Sequence, residues 1–108
     1  MKRGDVVTVA LPGDFGKPRR ALVIQSDHFS ATATVTALLV TSTPVDAPLL
    51  RIAVPPDEQN GLKTQSYIMI DKIMTFYRDR VGQIIGSAGD GIMLDVERAL
   101  TVFLGIAK

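Results

Sequence analysis

The chain contains no cysteine, which excludes disulfides, zinc–thiolate centres and cysteine nucleophiles together. A single histidine, His28, cannot supply a multi-histidine metal site, and its neighbours in QSDHFS sit too close in sequence for triad geometry. The acids at Asp57-Glu58 and Asp90 lack calcium-loop spacing, and no Lys-Ser or Lys-Thr follows Gly82, Gly86 or Gly89 as in a phosphate loop. No cofactor is expected. Charge of one sign is also missing: twelve Lys and Arg against eleven Asp and Glu leave +1, so an anionic partner must be held by a local cluster. No apolar run approaches the roughly 18 residues of a membrane span. The opening MKRGD leads into a strand-like run rather than an apolar signal segment. The expectation is a soluble, cytoplasmic protein without membrane contact.

What is present reads as one domain over residues 1–108, with enough apolar residues (46%) for a packed core. Asp5 to Leu11 (DVVTVAL) is rich in β-branched residues and stops at Pro12-Gly13. Pro12 to Arg20 (PGDFGKPRR) holds two glycines and two prolines and reads as a loop. Ala21 to Gln25 is apolar until Gln25, as in a central strand buried on both faces. Thr32 to Thr41 forms a further strand, broken by Thr43-Pro44 and Pro48. Arg51 to Val54 is a short strand, Asn60-Gly61 a turn, and Ser66 to Phe76 a strand with Asp71 in the parity set of Met69 and Ile73. From Asp90, read as an N-cap, the spacing of Met93, Val96, Leu100 and Phe103 predicts a helix of about 14 residues stopped by Gly105. Five or six strands and one helix predict a mainly β fold, a small curved sheet or partly open barrel.

The loop at Pro12 to Arg20 concentrates Lys17, Arg19 and Arg20, with Asp14 before them. Three cations on a glycine-containing loop can clamp phosphate oxygens, or can be a solvated hairpin tip. Thr41-Ser42 ends a strand, where two hydroxyls can bond a phosphate or satisfy a turn. Asp71, inside a run of Ile and Met, is a carboxylate whose burial can raise its pKa towards that of a useful base; the competing reading is an ion pair with Lys63, Lys72 or an arginine.

RGDVVTVALPGDFGKPRRALVIQSD (Arg3 to Asp27) closely resembles the opening of the MazF/PemK (Kid) toxins of bacterial toxin–antitoxin modules. The similarity continues through VTS (Val40 to Ser42), NGL (Asn60 to Leu62), IMIDKIMT (Ile68 to Thr75) and RALTVFLGI (Arg98 to Ile106). It implies an SH3-like or plasmid-maintenance-toxin barrel with a C-terminal α-helix, assembled as a homodimer. It also implies a sequence-specific, metal-independent endoribonuclease acting on single-stranded RNA. The family's catalytic arginine precedes a proline and aligns with Arg19; Arg20 stands at the proline position, so either arginine can take the role, with Arg19 preferred. The acidic loop position falls on Asp14, the hydroxyl pair on Thr41 and Ser42, and the strand acid on Asp71. One departure stands out. The PemK/Kid branch carries an arginine two residues before that acid, and here the position is Met69.

RNA carries its own nucleophile, the 2′-OH, so such an enzyme needs only to orient it, remove its proton and stabilise the phosphorane, leaving a 2′,3′-cyclic phosphate and a 5′-OH. Arginine is a poor base, which assigns Arg19 to charge stabilisation and leaves Asp14 or Asp71 as the base. Lys17, Arg20, Ser42 and Phe15 are expected to hold substrate, with Tyr67, Phe76 and Tyr77 as further aromatics for stacking. A cognate antitoxin with an acidic, flexible tail is the expected partner. Two alternatives remain. One is a CcdB-like gyrase poison, disfavoured by an ending, FLGIAK, without tryptophan; the other is an inactive SH3-like module.

Overall fold

Asp5–Val9 (β1), Arg19–Val23 (β2), Thr34–Thr41 (β3), Arg51–Val54 (β4), Ser66–Tyr77 (β5) and Val81–Ser87 (β6) pair antiparallel into one sheet, ordered β4-β5-β3-β2-β1-β6. Asp90–Phe103 (α1) follows. The computed structural model describes residues 1–13 and 17–107. β4 and β6 are left as edges, so the barrel is open, and among the described residues no helix is long and apolar enough to cross a membrane.

Alternation sends successive side chains of the central strands into two separate cores. Val6, Leu22, Leu38, Val40, Ile68 and Ile70 meet Met93 and Val96 of α1 on one face. Val7, Val9, Ala21, Val23, Val35, Ala37, Leu39, Met69 and Phe76 form the other cluster, with Met1, Leu11, Met74 and Val81 packed against it. β2 lies between β1 and β3 and buries Ala21 to Val23 on both sides, as its uninterrupted apolar run predicts.

The bend that encloses the second core sits in β5. Leu38 opposes Ile73 and Val40 opposes Ile68, so two steps along β3 match five along β5. Met69 to Lys72, four residues where β3 has only Leu39, bulge and turn the strand. This overturns a uniform parity through Ser66 to Phe76, because Met69 is buried while Ile73, nominally on its face, is 36% exposed.

Val81–Ser87 carries two glycines, which hide a strand from residue preferences. Packing explains Gly86: a Cβ there would lie 2.4 Å from the Asn60 carbonyl carbon and the Gln59 oxygen. The Asn60-Gly61 turn is pressed against β6, with Ser87 N donating to Gln59 O at 2.8 Å. Gly61 adopts φ +69°, and Asn60, buried, accepts from Asp57 N and Leu62 N through Oδ1 and donates to Pro55 O through Nδ2.

The helix has the expected 14 residues and stops at Gly105, but its N-cap and the placing of Phe103 depart from expectation. Gly89 is the N-cap and makes no side-chain capping bond, so Asp90 is the first helical residue, where its charge suits the helix dipole. At the far end Gly105 has φ +74°, and Ile106 N and Gly105 N donate to Thr101 O and Val102 O, closing a Schellman motif. Phe103 is 44% exposed instead of facing the core. It lines a groove with Val102, Pro48 and Leu50, beside the segment that leads into β4.

Candidate active site

β2 meets β3 with Arg20 opposite Val40, and the next pair in this register brings Arg19 level with Thr41. Directly opposed residues share a sheet face, so the guanidinium and the hydroxyl project together. They line a cleft of about 290 Å³ with Pro18, Arg20, Val40 and Ser42. Four nominated residues therefore converge: Arg19, Arg20, Thr41 and Ser42. Lys17 is exposed two residues from Arg19. Asp14 and Phe15 lie outside the described residues.

The two arginines are held differently. Arg20 alternates to the face of Leu22, where its Nη1 donates to Ser66 Oγ at 3.1 Å, and that hydroxyl donates in turn to Thr64 O at 3.0 Å. The bond ties β2 to the start of β5 and gives Arg20 a structural duty. Thr41 Oγ1 accepts from Thr43 N at 3.1 Å, which orders the strand end; a hydroxyl accepting there retains its own proton to give.

Asp71 is not among the cleft's lining residues. Its Oδ1 accepts from Arg51 Nη1 at 2.7 Å, and the same nitrogen donates to Leu50 O at 2.9 Å. The Arg51 hydrogen bond outweighs desolvation and, with the guanidinium charge, holds the Asp71 carboxyl below its usual range. Burial therefore does not turn Asp71 into a useful base; the ion-pair reading describes it. Arg51 escaped sequence reading because only the β4–β5 register, Arg51 opposite Met69, brings a guanidinium from one strand to an acid on the next. Ser66 escaped for the same reason. Of the aromatics, Phe76 is buried and unsuited to stacking, Tyr67 is half-buried opposite Thr41, and Tyr77 is exposed. His28 is exposed in a short 3₁₀ turn, its N–H donating to Ser26 Oγ at 3.2 Å.

Residues 2–104 match the family model of PemK-like, MazF-like toxins of type II toxin–antitoxin systems. The chain belongs to the PemK/MazF toxin family. A curated relative, the probable endoribonuclease MazF of Mycolicibacterium smegmatis, is 47% identical over 108 residues, covering 99% of each chain. Among solved structures, a mycobacterial endoribonuclease in complex with its cognate antitoxin superposes with a TM-score of 0.85 at 25% identity, over 100% of this chain and 98% of that one. The fold also matches MazF in the MazE-MazF complex of Deinococcus radiodurans, TM-score 0.78 at 23% identity over 99% and 97% of the two chains. Within this toxin the opening RGD is structural. Asp5 accepts from Lys2 N at 2.7 Å, while Arg3 pairs with Glu97 of α1 at 3.0 Å and donates to Ile24 O at 3.1 Å.

Proposed function

We propose that this toxin cleaves single-stranded RNA at specific sequences without a metal ion, with Arg19 and Thr41 at the reacting phosphate. The observation that carries this reading is that Arg19 and Thr41, at neighbouring ends of β2 and β3, line one polar cleft. A fixed guanidinium opposite a hydroxyl suits a phosphorane, whose charge grows on two non-bridging oxygens. The substrate's 2′-OH attacks the adjacent phosphorus, the 5′-oxygen leaves, and a 2′,3′-cyclic phosphate remains. Arg19 stabilises the charge and gives a proton to the leaving 5′-oxygen, which departs as the 5′-OH, and Thr41 donates to a phosphate oxygen. Lys17, Arg20 and Ser42 hold the flanking backbone. For the proton on the 2′-OH, Asp14 is the preferred base, because Asp71 is engaged by Arg51 and made less basic.

Residues 1–108 act as one domain in this reading, as a cytoplasmic homodimer. The relative solved with its cognate antitoxin supports a similar partner here, with an acidic flexible tail competing with RNA for the cationic cleft.

The test compares Arg19→Ala with Arg20→Ala on a long RNA in EDTA, with a gyrase supercoiling assay alongside. Arg19→Ala should lose cleavage while remaining folded by circular dichroism. Arg20→Ala should keep measurable cleavage and lose about 1 kcal/mol of stability with its Ser66 bond. A dead Arg20→Ala beside a fully active Arg19→Ala would reverse the assignment, and wild-type activity on gyrase alone would replace the ribonuclease reading.

A further inference from the structure

We propose that a second pocket, walled by Leu11, Pro12, Met74 and Tyr77 with Arg80 at its rim, receives one base of the RNA beside the cleaved linkage. The proposal rests on the ribonuclease reading and names a subsite for it.

Position comes first. The pocket, about 340 Å³, begins at Ala10 and Leu11, directly after β1. Val9, the last residue of β1, is the register partner of Arg19. One residue along a strand and one strand across place the near wall about 6 Å from the Arg19 backbone. Leu11 packs against the cluster that contains Val9, and Arg19, opposite Val9, shares that face. The near wall at Ala10 and Leu11 and the Arg80 junction thus lie at the cleft's end of the sheet, while Met74 to Tyr77, opposite Ala37 to Thr34, complete the pocket from the far half of β5. An RNA strand leaving the cleft past Val9 meets this near wall first.

Chemistry comes second. Leu11, Pro12 and Met74 provide apolar walls, and Tyr77 remains 65% exposed beside them. A tyrosine ring next to apolar walls, with a guanidinium at the rim, matches a nucleobase: a flat π-face to stack, polar edges left in water, and a phosphate within reach of a cation. A backbone bond supports the geometry, since Arg80 O accepts from Ala10 N at 2.9 Å and fixes the β5–β6 junction against the exit of β1. Thr75 Oγ1 is already engaged with Thr36 Oγ1 at 2.8 Å. The pocket thus offers stacking rather than a donor–acceptor code, and it should raise affinity with little effect on which sequence is cut.

The test first maps the cut site by primer extension, then uses an RNA oligonucleotide of that sequence carrying one 2′-deoxynucleotide at the scissile position. Binding is measured for wild type, Tyr77→Ala and Tyr77→Trp, against the intact oligonucleotide and a series with single abasic sites within two nucleotides of the linkage. Tyr77→Ala should weaken binding to the intact oligonucleotide roughly five- to a hundredfold, the range for loss of one stacked base, with Tyr77→Trp near wild type. One abasic position should weaken wild type similarly and leave Tyr77→Ala unaffected. Wild-type affinity in Tyr77→Ala, at unchanged melting temperature, overturns the pocket, as does an abasic penalty that adds fully to the Tyr77→Ala loss at every position. If wild type cuts no RNA at all, the ribonuclease reading fails and takes the pocket with it; cutting by wild type with an indifferent Tyr77 rejects the pocket alone.

Discussion

A guanidinium can do three different jobs in this fold, and the residues it faces decide which. Arg19 lines a cleft with the Thr41 and Ser42 hydroxyls, Arg20 joins β2 to β5 through Ser66, and Arg51 neutralises Asp71. The Arg51–Asp71 pair is partly buried, at 13% and 26% side-chain exposure, and Arg51 Nε is buried without a hydrogen-bond partner. Removing Asp71 would leave a half-desolvated cation, so Asp71→Asn should cost about 1–3 kcal/mol, measured by urea unfolding at neutral pH. The pH dependence follows from linkage. The folded carboxyl is more acidic than its unfolded counterpart, whose ordinary value is 3.8, so the pair stabilises the fold above that pH. This contribution disappears as pH falls through the folded value, and Asp71→Asn should remove that part of the acid destabilisation. In Arg51→Ala, the Asp71 carboxyl should titrate back near the ordinary range by carbon-detected NMR.

At the scale of elements, the most constrained contact joins a turn to an edge strand. Gly86 faces the backbone of Gln59 and Asn60, and Gly61 faces Ile85 O, which a Cβ would approach to 1.9 Å. Neither neighbour is a flexible side-chain tip that can move aside. Gly61→Ala adds a strained positive φ to the clash, so a loss of at least about 1–3 kcal/mol is expected. Gly86→Ala should lift β6 from the turn, seen as faster amide exchange at Ser87, whose N–H bonds Gln59 O. Gly91, inside α1 with open space around its Cβ position, is the control. Gly91→Ala should be neutral or stabilising.

For the whole molecule, the unspent apolar surface is the decisive feature. Leu49, Val102, Leu104 and Ile106 are each more than half exposed, and Leu49 and Val102 line one groove with Phe103 beside Pro48 and Leu50. A chain that leaves this much aliphatic surface in water gains by self-association. Light scattering at micromolar concentration should therefore give twice the 11.6 kDa chain mass. Antitoxin competition belongs to this scale too. An acidic tail peptide should displace the 2′-deoxy RNA, less effectively at high salt because part of its attraction is screened. A ternary complex of toxin, RNA and tail would sink the competition model.

Much of this architecture was legible in residue order. The apolar run at Ala21, the β-branched opening, the Asn60-Gly61 turn and the spacing through Val96 each report a local preference or a period, and such signals survive without knowing what packs where. The clustering of Arg19 and Arg20 was equally readable, though as a loop where both in fact open β2, and so was that of Thr41 and Ser42 at a strand end. Their meeting was not, because it depends on register between β2 and β3, and register is a property of two segments at once. The same reason hid Arg51 from Asp71 and Ser66 from Arg20. β6 escaped because its glycines serve close backbone approach instead of strand preference, and the bulge in β5 reversed the parity its alternation implied. The sequence alone determined which segments extend, which one coils and where cations collect. Tertiary structure decided which arginines meet the Thr41 and Ser42 hydroxyls at one cleft and which one pairs with Asp71, since only the pairing of distant strands sets what each guanidinium touches.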